Sequence, residues 1–401
     1  GNISVSDGTN LCVIILPATS CVMPSTSVGA ATLTATYSGN ANFNGSTAPT
    51  VPHTVNKADS ATTVQTLINA PNYGSTLTAT ATITAVAPGS GTPQGTVNFN
   101  DGGNPIAGCQ NVAVTALGSA VCTTNQLPAG VGKVIQAVYS GNANFNGSNG
   151  STTQTIGKAP LNVAASSAAV TYGDAAPAIT AAITGFVLGE TTANLTTQPT
   201  CSTTYVQGSP VSGSQYPATC TGAVSNNYSF NYIGGNVTVN KKGLTVTADN
   251  KSRAYGAANP TLTATFTGFV LGQNLGTSDV TGSPLLSTTA TPSSPVAGSP
   301  YAITAALGTL ASGNYAFTTF TNGILTITQS QLTVTANNQT RVFGAANPAL
   351  TFTITGFQNG ETLATSGVTG TPNISTSAVS TSAPGAYPIT AAQGTLAAPN
   401  Y

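Results

Sequence analysis

Six cysteines, one histidine and eight carboxylates carry most of the redox, metal or acid–base chemistry open to this 401-residue chain. The cysteines fall in three close pairs, Cys12/Cys21, Cys109/Cys122 and Cys201/Cys220, separated by 9, 13 and 19 residues. One pair per segment is the pattern of local disulfides in an oxidising compartment, and these separations suit adjacent strands of a hairpin. Each short loop so closed would add about 2–3 kcal/mol. The alternative is metal binding, which needs four converging soft or imidazole ligands. The chain has no Cys-x-x-Cys and only His53 to offer, so the reading is three structural disulfides and no metal site.

Nucleophilic catalysis needs a base beside the attacking group. His53, in VPHTV near a join between segments, reads as a solvated loop residue. Paired acids for glycoside cleavage have few candidates. Asp7, Asp59, Asp101, Asp174, Glu190, Asp249, Asp279 and Glu361 are scattered one or two to a segment, mostly in turns. Asp59, Glu190 and Glu361 fall at positions set by a repeat, which points to architecture. Lys57 and Lys158 stand at the exits of closing strands and read as solvated linker residues rather than partners in a lysine–asparagine staple. No phosphate loop or dinucleotide glycine pattern precedes a helix. The expectation is a non-enzyme with no cofactor.

What positions these residues is repetition. LTVTADNKSRAYGAANPTLTATFTGFVLG at Leu244 returns at Leu332 as LTVTANNQTRVFGAANPALTFTITGFQNGE, and more loosely at Leu161 as LNVAASSAAVTYGDAAPAITAAITGFVLGE. Tyr172, Tyr255 and Phe343, each before a glycine, are 83 and 88 residues apart, and Phe186, Phe269 and Phe357 share those separations. Asn227-Tyr228, Asn314-Tyr315 and Asn400-Tyr401 close the units, 87 and 86 apart. A second repeat lies upstream: YSGNANFNGS stands at Tyr37–Ser46 and again at Tyr139–Ser148.

Within each unit apolar and small polar residues alternate, as in GILTIT at Gly323–Thr328. Period two puts one set on each face of a strand, and Thr, Val, Ile and Tyr suit a pleated surface. Tyr-Gly, Asn-Pro and Ser-Gly-Asn clusters between the runs read as turns. A unit of about 85 residues is large enough to fold alone around a modest core. Only 4% of residues are charged, eight basic against eight acidic. That leaves no basic patch for nucleic acid and nothing for docking on anionic lipid. No apolar run reaches the length of a membrane helix. A surface so poor in charge suits a protein that packs or polymerises. Ten Asn-x-Ser/Thr sequons occur, a number natural to so Asn- and Thr-rich a chain.

The pattern LTVTA…YG-x-x-NP…TGFV-x-G, ending GTL-x-x-x-NY-x-F, resembles the bacterial MBG repeat of the YGX type, from Leu161 to Tyr401. The first copy departs from it at Asp174-Ala175-Ala176-Pro177, where the Asn-Pro step is replaced. GTVNFNDG (Gly95–Gly102), LPAG (Leu127–Gly130) and AVYSGNANFNGS (Ala137–Ser148) resemble the bacterial Ig-like repeats of large adhesins. The usual Asp after Y-x-G is Asn40 and Asn142 here, which counts against calcium between domains.

These resemblances imply an all-β chain of tandem Ig-like antiparallel β-sandwich modules in an elongated rod, on the order of 150–200 Å. The expected divisions are a partial Ig-like domain at 1–58, an Ig-like domain at 59–159, MBG-like domains at 160–242 and 243–330, and a truncated one at 331–401. They imply an extracellular or cell-surface protein, a structural stalk or filament segment. An adhesin for a glycan or host protein, or an inert spacer, are the alternatives. Expected partners are copies of itself or neighbouring repeats. Gly1 and Tyr401 both fall inside units, as in a piece of a longer repetitive protein. Gly1–Ser6 also resembles the closing strand Gly235–Asn240, so one copy's start could complete another's open edge and build a filament.

Overall fold

The computed structural model describes residues 1–24, 26–67 and 71–401. The chain is built of strands and turns. Three single-turn 3-10 helices, such as Thr192–Asn194, are the only helical pieces among the described residues. None is long and apolar enough to cross a membrane. By backbone proximity the residues fall into two compact units. One holds Gly1–Ser166, Thr180–Ser202 and Thr219–Gly234; the other holds Ser167–Ile179, Thr203–Ala218 and Gly235–Tyr401.

The first 58 residues form one antiparallel sheet, ordered Leu11–Ile15, Asn2–Ser6, Gly29–Tyr37, Ser46–Thr47, with Val51–Val55 also on Gly29–Tyr37. None of its described residues is buried, so it is a single layer without a facing sheet. Asn2–Ser6 lies inside this sheet: Val5 pairs with Cys12 on one side and Ala35 on the other. That corrects the idea of a free donor strand at Gly1–Ser6, because releasing it would break both ladders. His53 is also not in a loop; it lies on Val51–Val55, opposite Ala31.

The next module is a complete two-layer sandwich. One layer is Ser119–Thr124, Leu77–Ala85 and Ser60–Leu67; the other is Val112–Ala113, Thr96–Asp101, Gly130–Tyr139 and Ser148–Ile156. In LTATATITA, Leu77, Ala79, Ala81 and Ile83 all face inward, as period-two alternation requires. They meet Val97, Phe99, Ile135 and Ala137 from the other layer. Asn142 shows why asparagine replaces aspartate in Y-x-G. Its Oδ1 accepts from the Asn144 and Phe145 amides at 2.8 and 2.9 Å, while its Nδ2 donates to the Gln94 carbonyl at 2.7 Å. A carboxylate could not make the last bond.

The MBG-like repeats are mixed rather than antiparallel. In the first, Ala159–Ala165 runs antiparallel to Ala181–Thr184 and parallel to Tyr228–Ile233. In the second, Lys242–Ala248 repeats this with Ala264–Thr267 and Tyr315–Thr321. The companion sheet of each places a short strand, Ala168–Thr171 or Lys251–Ala254, parallel to the closing strand, Gly235–Asn240 or Gly323–Thr328. The closing strand pairs antiparallel on its other edge with Tyr216–Thr221 or Tyr301–Ala306. Alternation assigns a residue to a face and is blind to strand direction, so parallel pairs leave no mark on it. The third repeat has two hairpin-like pairs, Thr333–Ala336 with Phe352–Thr355 and Asn373–Thr376 with Ile389–Ala392.

The buried clusters do not follow the repeat boundaries. Tyr172, Val237 and Val239 of the first repeat pack with Leu244 and Tyr315 of the second. Tyr255, Leu325 and Ile327 of the second pack with Tyr401 of the third, and Tyr73 of the Ig-like module packs with Leu161 and Tyr228 of the first repeat. The first repeat thus shares its clusters with its neighbours, whereas the second also encloses one made of its own residues, Ala248, Tyr255, Ala290, Ile303, Leu325 and Ile327, on which Tyr401 packs.

Candidate functional site: a tyrosine clasp between successive modules

The three cysteine pairs are all bonded, Cys12 to Cys21, Cys109 to Cys122 and Cys201 to Cys220. Only the last joins two strands, Thr200–Thr203 and Tyr216–Thr221. Cys109 sits in the turn that returns onto Thr96–Asp101, where its carbonyl accepts from the Phe99 amide, and Cys122 lies on Ser119–Thr124 in the opposite layer. That bond therefore crosses the sandwich, with both sulfurs buried, rather than stapling a hairpin. Cys12 is on Leu11–Ile15 and ties it to the loop at Cys21.

The carboxylates mostly hold turns. Asp279 accepts from the Ser312 hydroxyl at 2.6 Å and from the Gly313 and Asn314 amides at 2.8 and 3.0 Å. Asp249 accepts from the hydroxyls of Thr263 and Thr265, which hold its carboxyl below the usual range. Asp101 pairs with Lys133 at 2.7 Å. Among the described residues no three His, Cys, Asp or Glu side chains gather as a metal site would need.

Two carboxylates do something else, and they do it at equivalent places. Glu190 accepts from two phenols, Tyr73 at 2.7 Å and Tyr228 at 2.6 Å. Glu361 accepts from Tyr255 and Tyr401, each at 2.6 Å. At the middle position stands Gln273, which accepts from Tyr315 at 2.6 Å and donates to the Tyr172 oxygen at 3.3 Å. In each case one tyrosine belongs to the Tyr-Gly step of the earlier module and the other to the Asn-Tyr step of the next. Their rings meet edge to face, with centroids 5.6, 5.4 and 5.4 Å apart. The phenylalanine of Thr-Gly-Phe packs edge-on against the second ring, at 5.3 Å for Phe186 and Phe269 and 5.8 Å for Phe357.

The rest of the joint is equally regular. The second phenol also accepts a backbone amide, from Val187, Val270 or Gln358. The asparagine before it takes the amide of Ala129, Val211 or Val296 from the earlier module at 3.0–3.1 Å. Lys158, read above as a free linker residue, donates to the Ser225 carbonyl at 2.7 Å; Lys241 does the same to Ser312, and Gln329 to Ala398 at 3.0 Å. Glycine follows the first tyrosine because the next module's loop comes so close. A Cβ on Gly74 would lie 2.5 Å from Val187 Cγ2, one on Gly173 would lie 2.5 Å from Val270 Cγ2, and one on Gly256 would run into Gln358.

The polar groups of the clasp are turned on one another, so it is adhesive rather than reactive. Tyr73, Tyr228, Tyr255, Tyr315 and Tyr401 are held neutral. Burial first, and the bond to Glu190 second, push Tyr73 up to about 12. The same two causes push Tyr401 up to about 12 through Glu361. Tyr255 is raised chiefly by its bond to Glu361, and Tyr315, bonded to an amide rather than a carboxylate, chiefly by burial. Apart from the exposed Phe343, the residues that mark the period are thus the adhesive ones. Tyr73 went unnoticed, although Asn72-Tyr73-Gly74 carries the same Tyr-Gly step.

Residues 161–238, 244–326 and 332–401 match the MBG domain (YGX type), and residues 63–157 match the bacterial Ig-like domain (group 3). No curated protein matches the chain. Among solved structures, a tetra-tandem repeat in the extending region of a large adhesion protein is 14% identical, over 81% of this chain and 91% of that one, at a TM-score of 0.28. Fibronectin(III)-like modules of Clostridium thermocellum CbhA are 16% identical over 39% and 77%, at 0.20, and Drosophila N-cadherin EC1-4 is 11% identical over 75% and 83%, at 0.21. Scores of this size add nothing to the reading of the fold.

Proposed function

Since the chain belongs to the MBG (YGX type) repeat proteins and carries a bacterial Ig-like group 3 domain ahead of its repeats, we propose that it is a structural, non-catalytic stalk segment of a secreted or cell-surface protein. Neither match names a catalytic family. The observation that carries the reading is the clasp. The same two tyrosines, amide or carboxylate, asparagine and glycine fasten one module to the next at three successive joints. A joint with a shared core, paired rings and bonded phenols resists bending and pulling, as a stalk requires. Disulfides and scarce charge, which leaves few sites for basic-specific proteases, suit exposure outside the cell.

Small-angle scattering on the whole chain tests this. Tyr172→Ala, which empties the middle clasp, should broaden the distance distribution while circular dichroism stays β-rich. An unchanged distribution would mean that the joint does not set module orientation. The adhesin reading has one feature in its favour, the stacked pair Phe230 and Tyr232, 6.2 Å apart at 26°, with Tyr232 40% exposed. Glycan-array binding abolished by Tyr232→Ala would turn the assignment that way.

A further inference from the structure

The three joints draw on one set of donor groups, although the modules that supply them differ in fold. In the Ig-like module Tyr73-Gly74 lies between Ser60–Leu67 and Leu77–Ala85, which pair antiparallel. In the first and second repeats Tyr172-Gly173 and Tyr255-Gly256 follow Ala168–Thr171 and Lys251–Ala254, which run parallel to the closing strand. Each tyrosine is nevertheless anchored alike. Its amide donates at 2.8 Å to a carbonyl at or just past the end of its module's last strand, that of Gly157, Asn240 or Thr328. The residue after that carbonyl, Lys158, Lys241 or Gln329, is the one whose side chain reaches into the following repeat. The tyrosine is thus fixed to the exit of the chain and not to a particular sheet order.

The second donor group is common too. The amides of Ala129, Val211 and Val296, which donate to the asparagine of the next module, each follow a proline, Pro128, Pro210 or Pro295. Val211 and Val296 open 3-10 turns, whereas Ala129 leads into the strand Gly130–Tyr139. On the receiving side the contact residues vary. The partner of the first phenol is Glu190, Gln273 or Glu361, and the side chain over the glycine is Val187, Val270 or Gln358. A receiver matched to one donor would pair each variant with one fold. Instead, glutamate receives the Ig-like tyrosine at the first joint and a repeat's tyrosine at the third. Valine covers the Ig-like glycine at the first joint and a repeat's glycine at the second. Neither choice follows the fold of the donor.

We propose that the receiving face of an MBG repeat is a general coupler. Its partner is any module that presents two groups beside its exit: a Tyr-Gly step held to the last carbonyl, and a backbone amide that follows proline. The sheet order behind those groups is immaterial. This deepens the structural role, on which it rests, by naming what the joint recognises. Modules can therefore be removed in whole periods, and the receiver of one joint will accept the donor of another.

Removing residues 159–241, one period of 83, from the otherwise whole chain tests this. Lys242 then follows Lys158, and the second repeat meets the Ig-like module directly. Cys201 and Cys220 leave together, so no cysteine loses its partner. The expected joint sets Tyr73 on Gln273 and Tyr315, with Asn314 on the Ala129 amide. Native-state hydrogen exchange at the Ala129 and Val270 amides should stay within about tenfold of that in the whole chain. Adding Gln273→Glu should move the titration of the Tyr73 ring, followed by NMR, to higher pH, because a carboxylate would then accept from its phenol. Faster exchange at either amide, or a Tyr73 titration that ignores Gln273→Glu, overturns the proposal. If the shortened chain does not fold, Val187→Gln in the whole chain decides, since it gives the first joint the side chain of the third. Exchange at the Tyr73 and Ala129 amides should then rise less than about tenfold, and a larger rise would mean that each joint is matched to its own donor. None of these results alters what scattering on Tyr172→Ala reports, so the structural role is judged separately.

Discussion

Gly173 and Gly344 occupy the same place in successive Tyr-Gly or Phe-Gly steps, and they differ in one physical respect. Both have left-handed backbones, with φ of +91° and +83°. A Cβ on Gly173 would fall 2.5 Å from Val270 Cγ2 and 2.8 Å from Val270 Cβ, while one on Gly344 would meet nothing within 4 Å. Alanine at Gly344 therefore costs only the backbone strain, about 1–2 kcal/mol. Alanine at Gly173 costs that strain and the overlap. Turning Val270 about χ1 can move its Cγ atoms but not its Cβ, so the joint itself must give. Overpacking of this kind costs about 1–3 kcal/mol, for a total of roughly 2–5 kcal/mol. The difference between the two variants isolates the clasp. A chain of several modules need not unfold in one step, so the readout should be local. Native-state hydrogen exchange at the Tyr172 amide, which donates to the Asn240 carbonyl at 2.8 Å, and at the Val270 amide reports on the joint. Gly173→Ala should raise exchange there by at least about tenfold more than Gly344→Ala raises it at its own step. Equal effects would mean that the close approach contributes nothing, and the argument for an intermodule clasp would fail.

Other outcomes follow from the same geometry. Glu190→Gln should leave stability within about 1 kcal/mol, since Gln273 already fills the equivalent place, whereas Glu190→Ala strands two phenol donors and should cost roughly 2–4 kcal/mol by denaturant titration. Tyr73 and Tyr401, both pushed up to about 12 in the folded chain, bind their protons more tightly than in the unfolded chain. Their stabilisation is full below pH 10 and is lost as pH rises from about 10 through 12, up to about 2–3 kcal/mol each, and tyrosine absorbance against pH would show it. Glu190→Gln should move the Tyr73 transition to lower pH. Replacing Cys109 and Cys122 by serine should cost about 3 kcal/mol and speed exchange along Leu77–Ala85, because the bond joins the two layers over a loop of 13 residues.

Much of the fold can be read from residue order. LTATATITA declares its buried face, and the closing strands Gly235–Asn240 and Gly323–Thr328 bury every second residue as their pattern demands. The cysteine partners are also legible, because each segment offers only one other cysteine. What lies across from a buried face is not legible. Val237 looks like a residue that packs within its own repeat, yet it shares a cluster with Leu244 and Tyr315, one repeat on. Side-chain pattern states that a face is apolar and carries no label for the partner.

The clasp explains why the period is visible while the position of its cores along the chain is hidden. Tyr172, Gln273 and Tyr315 must meet across a boundary, so a residue able to play each part recurs from joint to joint. Selection for a joint and selection for an internal core leave the same periodic trace. The substitution of Gln273 for the glutamate found at 190 and 361 is the one sequence sign that separates them. A catalytic acid would not tolerate an amide, whereas an acceptor for phenols does. Both side chains present an oxygen at the same reach, and the amide adds a donor that the Tyr172 oxygen accepts. What is retained along the chain is the geometry of acceptance and not charge. That fits a protein whose repeats are held to one another and whose few carboxylates act as fasteners.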